Sequence, residues 1–132
     1  MHTIQEYSFY RTSFVEFVSG TLNTDYAQKN SVRYNNRCVD GYRKCASCID
    51  KYYPQYIDDF SELLKSEIPE IRLCCAVCLL ELMHYNEKQE IAALSIIEEA
   101  RQSGDLIEKT GWEIWLKNWR NGRINTVYSR FD

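Results

Sequence analysis

Histidine is scarce in this chain, with two residues in 132, and proline is equally rare. With only His2 and His84, a Cys–His pair or a Ser–His–acid triad lacks a natural member, because such nucleophiles need a titratable base beside them. Positive charge is not in excess. Sixteen Lys and Arg stand against nineteen Asp and Glu, a net charge of -3, which gives no reason to expect binding to a polyanion such as a nucleic acid. No apolar run reaches the eighteen or so residues needed to cross a bilayer, so no membrane partner is expected. The opening residues Met1 to Glu6 lack the basic stretch and apolar run of a signal peptide. The expected compartment is the cytoplasm, where the six cysteines stay reduced.

What the sequence does hold is 45% hydrophobic content, enough for one compact core spanning 1–132. Its most apolar stretch, residues 69–83, reads Pro-Glu-Ile-Arg-Leu-Cys-Cys-Ala-Val-Cys-Leu-Leu-Glu-Leu-Met. Pro69 suits the first helical position, and Glu70 suits the positive end of the helix dipole. Arg72 and Glu81 alone interrupt an apolar circumference, so this helix is expected in the middle of a layered α domain, covered on more than one side.

The remaining segments also carry helical spacing. Thr3 and Glu6 form a capping box ahead of Ile4, Tyr7, Tyr10, Phe14, Phe17 and Val18, with the helix ending near Gly20 or resuming to about residue 28. Ser31 is the expected cap of a second helix whose stripe is Val32, Asn35, Cys38, Val39, Tyr42, Ala46 and Ile49. Gly41 in that helix reads as a close helix contact or as simple tolerance. Pro54 closes it and opens a third helix over 54–66, followed at once by the central helix. Asn86 with Gln89 caps a fifth helix, with Ile91, Leu94, Ile97 and Ala100 inward and Gly104 as a left-handed terminator. Asp105 with Glu108 caps a sixth, which carries Trp112, Trp115, Leu116 and Trp119 and stops at Asn121-Gly122. Residues 123–132 read as a docked tail or a short extended segment. Segments 54–83 and 87–121 are thus consecutive helical hairpins, the period of an α-solenoid, with 54–122 the most repeat-like part.

The residues able to do chemistry read mostly as structure. Cys45-x-x-Cys48 and Cys75-x-x-Cys78 have zinc-ligand spacing, but both pairs sit within helices, where free cysteine packs as a small hydrophobe. No metal or cofactor is expected. His84 falls where an imidazolium caps the negative end of the central helix. Trp112, Trp115 and Trp119 share one stripe while Ile107 and Ile114 share another, and both faces cannot reach one core. One of them is exposed. Eight acidic against three basic side chains give 61–100 a local charge of -5, read either as a solvated helix face or as a surface that attracts a basic protein.

The run Pro69 to Leu80, an aliphatic residue with Arg72 and then small residues and leucines, resembles the second helix of a HEAT repeat. Leu116-Lys117-Asn118-Trp119-Arg120-Asn121-Gly122, and Asn35-Asn36-Arg37 with Asp40 and Tyr42, are similar to motifs of a family of small bacterial helical-repeat proteins of undefined function. That family includes immunity proteins of contact-dependent and other polymorphic toxin systems. The resemblance implies an all-α, HEAT/armadillo-like solenoid of about five to seven helices. It also implies a non-enzymatic role, as an immunity protein that occludes the active or substrate-binding site of a cognate toxin, a cytosol-acting RNase, tRNase or DNase. Free, such a protein is expected as a monomer or weak dimer. A basic nuclease would meet the acidic helices, which nominates Asp58, Asp59, Glu62, Glu67, Glu81, Glu87, Glu98 and Glu99 as contacts, with Tyr56 and Trp112 as anchors. A scaffold with several weak partners and a cysteine-based metal regulator are the alternatives.

Overall fold

The structure, a computed structural model, describes residues 3–122. It is all-α. Six helices follow one another, α1 (Ile4–Ser19), α2 (Lys29–Tyr52), α3 (Ile57–Phe60), α4 (Pro69–Leu82), α5 (Glu87–Ser103) and α6 (Leu106–Arg120). Short 3-10 turns at Pro54–Tyr56 and Ser61–Lys65 flank α3. The continuous helix expected over 54–66 is therefore broken into three pieces. Ile57, Phe60, Leu63 and Leu64 are nevertheless all buried, so the inward side expected of this segment is kept.

Helix α4 is central, as its circumference demands. Ile71, Cys75, Ala76, Cys78, Leu79 and Leu80 are buried, and α1, α2, α5 and the Ser61–Lys65 turn all pack on it. Met83 leaves the helix in an extended conformation with its side chain fully buried. That exit carries His84 off the helix axis, so it does not cap α4. Its backbone N–H donates to Asp50 Oδ1 at 2.6 Å, and its Nδ1 lies 3.0 Å from Asp50 Oδ2. The imidazole ties α4 to α2.

Helices α1 and α2 approach closely at two glycines, Gly41 and Gly20, the latter leaving room for the Cys38 thiol. A Cβ on Gly41 would lie 2.8 Å from the Phe17 ring, so the close-contact reading of Gly41 holds. Helix α1 ends at Ser19 and does not resume. Helix α2 begins at Lys29, two residues before the expected cap, because the Ser31 hydroxyl instead accepts the Asp25 N–H at 2.9 Å. Only half of the first capping box forms. Thr3 accepts the Glu6 N–H at 3.2 Å, while the Glu6 carboxylate takes the Tyr53 phenol at 3.1 Å.

The other two boxes are complete, Asn86 with Gln89 and Asp105 with Glu108. Gln89 also reaches across to Asp58, its Nε2 donating at 2.7 Å. That bond turns the line Gln89, Ala93 and Ile97 inward. Ile91, two residues and about 200° further round the helix, is left 63% exposed instead of facing the core. Gly104 is extended rather than left-handed, with φ -79° and ψ 165°, because Asp105 directly after it must cap α6. The left-handed glycine is Gly122, at φ 68°. The expectation for 123–132 lies outside the described residues.

Candidate protein-binding surface

Helix α6 resolves its own ambiguity. Leu116 is buried and the three tryptophans pack half-buried against the core, with Trp115 stacked on Trp119 at 6.3 Å. Leu106, Ile107 and Ile114 are 79%, 83% and 56% exposed. The isoleucine side faces solvent. Trp112, proposed as an anchor, is set edge-on against Trp115 instead. Tyr56, the other proposed anchor, stacks on Tyr7 at 4.7 Å and is half-buried.

The acidic residues do not form one patch, because consecutive helical positions point about 100° apart. Two of them are tied to other helices, Asp59 while still 58% exposed and Glu81 in the interior. Asp59 accepts the Tyr7 hydroxyl at 2.6 Å and pairs with Arg11 at 3.3 Å, and burial together with this carboxylate pushes the Tyr7 phenol upward. Glu81, on α4, accepts from Arg43 of α2 at 2.9 Å and from the Trp115 indole of α6 at 2.7 Å. Its side chain is only 17% exposed, and it fastens three helices together.

The remaining carboxylates are divided among surface grooves. Asp58 and Glu62 line a groove of about 500 Å³ between the α3 segment and α5, together with Lys65 and Lys88. Glu98 lines a second, between α5 and α6, of about 590 Å³. There Arg101 grips it through both Nε and Nη2, and this guanidinium holds the Glu98 carboxyl below its ordinary range. Glu67 and Glu87 are exposed and line none of these grooves.

Glu99 lies in a third groove of about 220 Å³ where α4, α5 and the start of α6 meet, and there it is joined by Glu70 and Glu108. The floor is apolar, formed by Leu73, Ile96 and Ala100. Its one cation, Arg72, is held by the Ser66 carbonyl at 2.7 Å and lies 3.9 Å from Glu99. Leu106 and Ile107, which precede Glu108 in the chain, are exposed but do not line the groove. Compared with protein-family models, curated proteins and solved structures, the chain matches none. Glu70, Glu108, Leu106 and Ile107 were not among the residues nominated from sequence. The spacing that places Ile107 and Ile114 on a separate stripe was the available signal, but which stripe faces solvent depends on how α6 docks.

Four of the six cysteines are packed in the interior. Cys38, Cys45, Cys75 and Cys78 are buried and all six are free thiols. Burial pushes Cys45 up to about 11 and raises Cys75 and Cys78 as well, which suppresses the nucleophilic thiolate at neutral pH. Among the described residues no three His, Cys, Asp or Glu side chains lie together as a metal site, and no helix is long and apolar enough to cross a membrane.

Proposed function

We propose that this chain is a non-enzymatic, HEAT-like immunity protein that binds a cognate toxin domain in the bacterial cytoplasm and blocks its active or substrate-binding site. The observation that carries this reading is the groove of Glu70, Glu99 and Glu108 over the apolar Leu73, Ile96 and Ala100, on a chain that also exposes Leu106 and Ile107 at the start of α6. A surface with an apolar centre and like-signed carboxylates beside it suits a basic protein. The two apolar side chains supply affinity, at about 1.5–3 kcal/mol each on full burial, and the carboxylates steer a cationic nuclease toward them. Nucleases that grip phosphates carry such cations, so covering them covers the substrate site.

The solenoid reading is supported by the order of packing. Helix α1 pairs with α2, the α3 segment pairs with α4, α5 pairs with α6, and α4 joins neighbouring pairs. The bonds that hold Glu81 to Arg43 and Trp115, Asp59 to Tyr7 and Arg11, and Glu98 to Arg101 move the expected contact away from those three residues and toward Glu99. When free, the protein is taken to be a monomer or weak dimer.

The test is protection. The toxin domain encoded beside this gene is expressed in a bacterium with and without this chain, and growth is followed. Rescue is expected from the wild type, together with a copurified complex. The Glu99→Lys/Glu108→Gln double variant, in which glutamine keeps the capping-box acceptor, is expected to associate several-fold more slowly at low salt, with nearly unchanged melting. Equal killing with and without the chain would defeat the immunity reading for that pair. Undiminished association of the double variant would move the interface elsewhere.

A further inference from the structure

The net charge conceals a segregation along α2. Lys29, Arg33, Arg37, Lys44 and Lys51 are all exposed, and none of them enters an ion pair among the described residues. At about 100° per residue they fall within an arc about 80° wide. The arc lies opposite the centre of the side that buries Cys38, Cys45, Ala46, Ile49 and Asp50. Asp40 is the one acidic residue in it. From Lys29 to Lys51 the row runs about 33 Å, at 1.5 Å of rise per residue.

Aromatic rings border the same row. Tyr34 and Tyr52 are 54% and 42% exposed. They are separated by five whole turns of about 3.6 residues, so they share one edge. The Lys51 ammonium sits over the Tyr52 ring, 5.2 Å from its centroid. Cations spaced along a straight line with stackable rings beside them are what a single-stranded nucleic acid requires, because its phosphates repeat regularly and every base offers a π face. An acidic polypeptide meets the same cations but makes no use of the rings, which is the difference the experiment below reads.

We propose that the solvent face of α2 binds single-stranded nucleic acid, with the phosphodiester backbone along Lys29, Arg33, Arg37, Lys44 and Lys51 and bases stacked on Tyr34 and Tyr52. The surface is separate from the acidic groove of α4 to α6 and stands independently of the immunity reading. Both charges coexist in one chain because α2 carries its cations outward on one element, while the carboxylates lie on later ones.

The experiment is fluorescence anisotropy of the whole chain with a labelled oligothymidylate of about twenty nucleotides, over salt from about 50 to 200 mM. Five phosphate contacts predict a log–log salt slope of about -3.5, or roughly a hundredfold loss of affinity across that range. Arg33→Ala/Arg37→Ala is expected to make the slope shallower by about 1.4. Tyr34→Ala is expected to weaken binding several-fold and leave the slope unchanged. Circular dichroism melting confirms that both variants fold. The proposal is overturned by absence of binding at the lowest salt, or by a slope that the two arginines do not change. It is equally overturned if poly-glutamate or inorganic polyphosphate competes as well as the oligonucleotide and Tyr34→Ala has no effect.

Discussion

Replacing Glu81 by alanine is expected to loosen the packing of α2 and α6 on α4, and the size of the effect follows from its two partners. The Trp115 Nε1–H donates to it at 2.7 Å and Arg43 at 2.9 Å. Losing a charged acceptor from the half-buried indole costs about 1.5 kcal/mol. The Arg43 pair contributes less, about 0.5 kcal/mol, because the arginine side chain is 37% exposed and solvent screens the pair. The sum, about 2 kcal/mol, corresponds to a fall in Tm of roughly 6–10 °C for a domain of this size. Glu81→Gln keeps an acceptor for Trp115 and is expected to lose about a third of that. Thermal melts followed by tryptophan fluorescence read both effects, and a cycle with Arg43→Met isolates the ion pair. A Tm for Glu81→Ala within about 1 °C of wild type would refute the assignment of Glu81 as a strut and return it to the list of surface contacts.

Two further predictions follow from the same packing. Gly41→Ala gains about 1 kcal/mol of helix propensity but drives a Cβ to 2.8 Å from the Phe17 ring, an overlap costing about 1–3 kcal/mol. The net change is a loss of about 1 kcal/mol, turning into a gain in a Phe17→Ala background; a raised Tm for Gly41→Ala alone would contradict it. Alkaline pH is also destabilising. Burial raises Cys45 to about 11 and lifts Cys75, Cys78 and Tyr7, so the folded chain holds these protons more tightly than the unfolded one. Their contribution is complete below the ordinary thiol value of 9.0 and is lost as pH rises through the folded values. Each thiol adds a slope of about 1.4 kcal/mol per pH unit in that window, so Tm is expected to fall from pH 9 to about 11, and a constant Tm there would rule this linkage out.

The helical class, the central helix and four of the helix starts, at Thr3, Pro69, Asn86 and Asp105, are legible in the residues alone. These are local matters. Pro69 at a first turn has no N–H to leave unpaired, Asn86 with Gln89 and Asp105 with Glu108 each satisfy backbone groups within four residues, and an apolar circumference demands cover whatever the neighbours are. Tertiary structure decided which stripe of each helix faces inward. Ile91 was indistinguishable from Ala93 as a core residue until the Gln89–Asp58 bond set the rotation of α5. Ile107 and the tryptophans competed for the core until Trp115 found Glu81. The acidic run from Glu62 to Glu99 was visible as composition, but its division into struts and separate grooves comes from residues distant in the chain, such as Tyr7 with Asp59 and Arg43 with Glu81. Net charge likewise hid the cationic row of α2, because a sum over the chain carries no direction. Periodicity states which residues share a face; only contact with another element states where that face points.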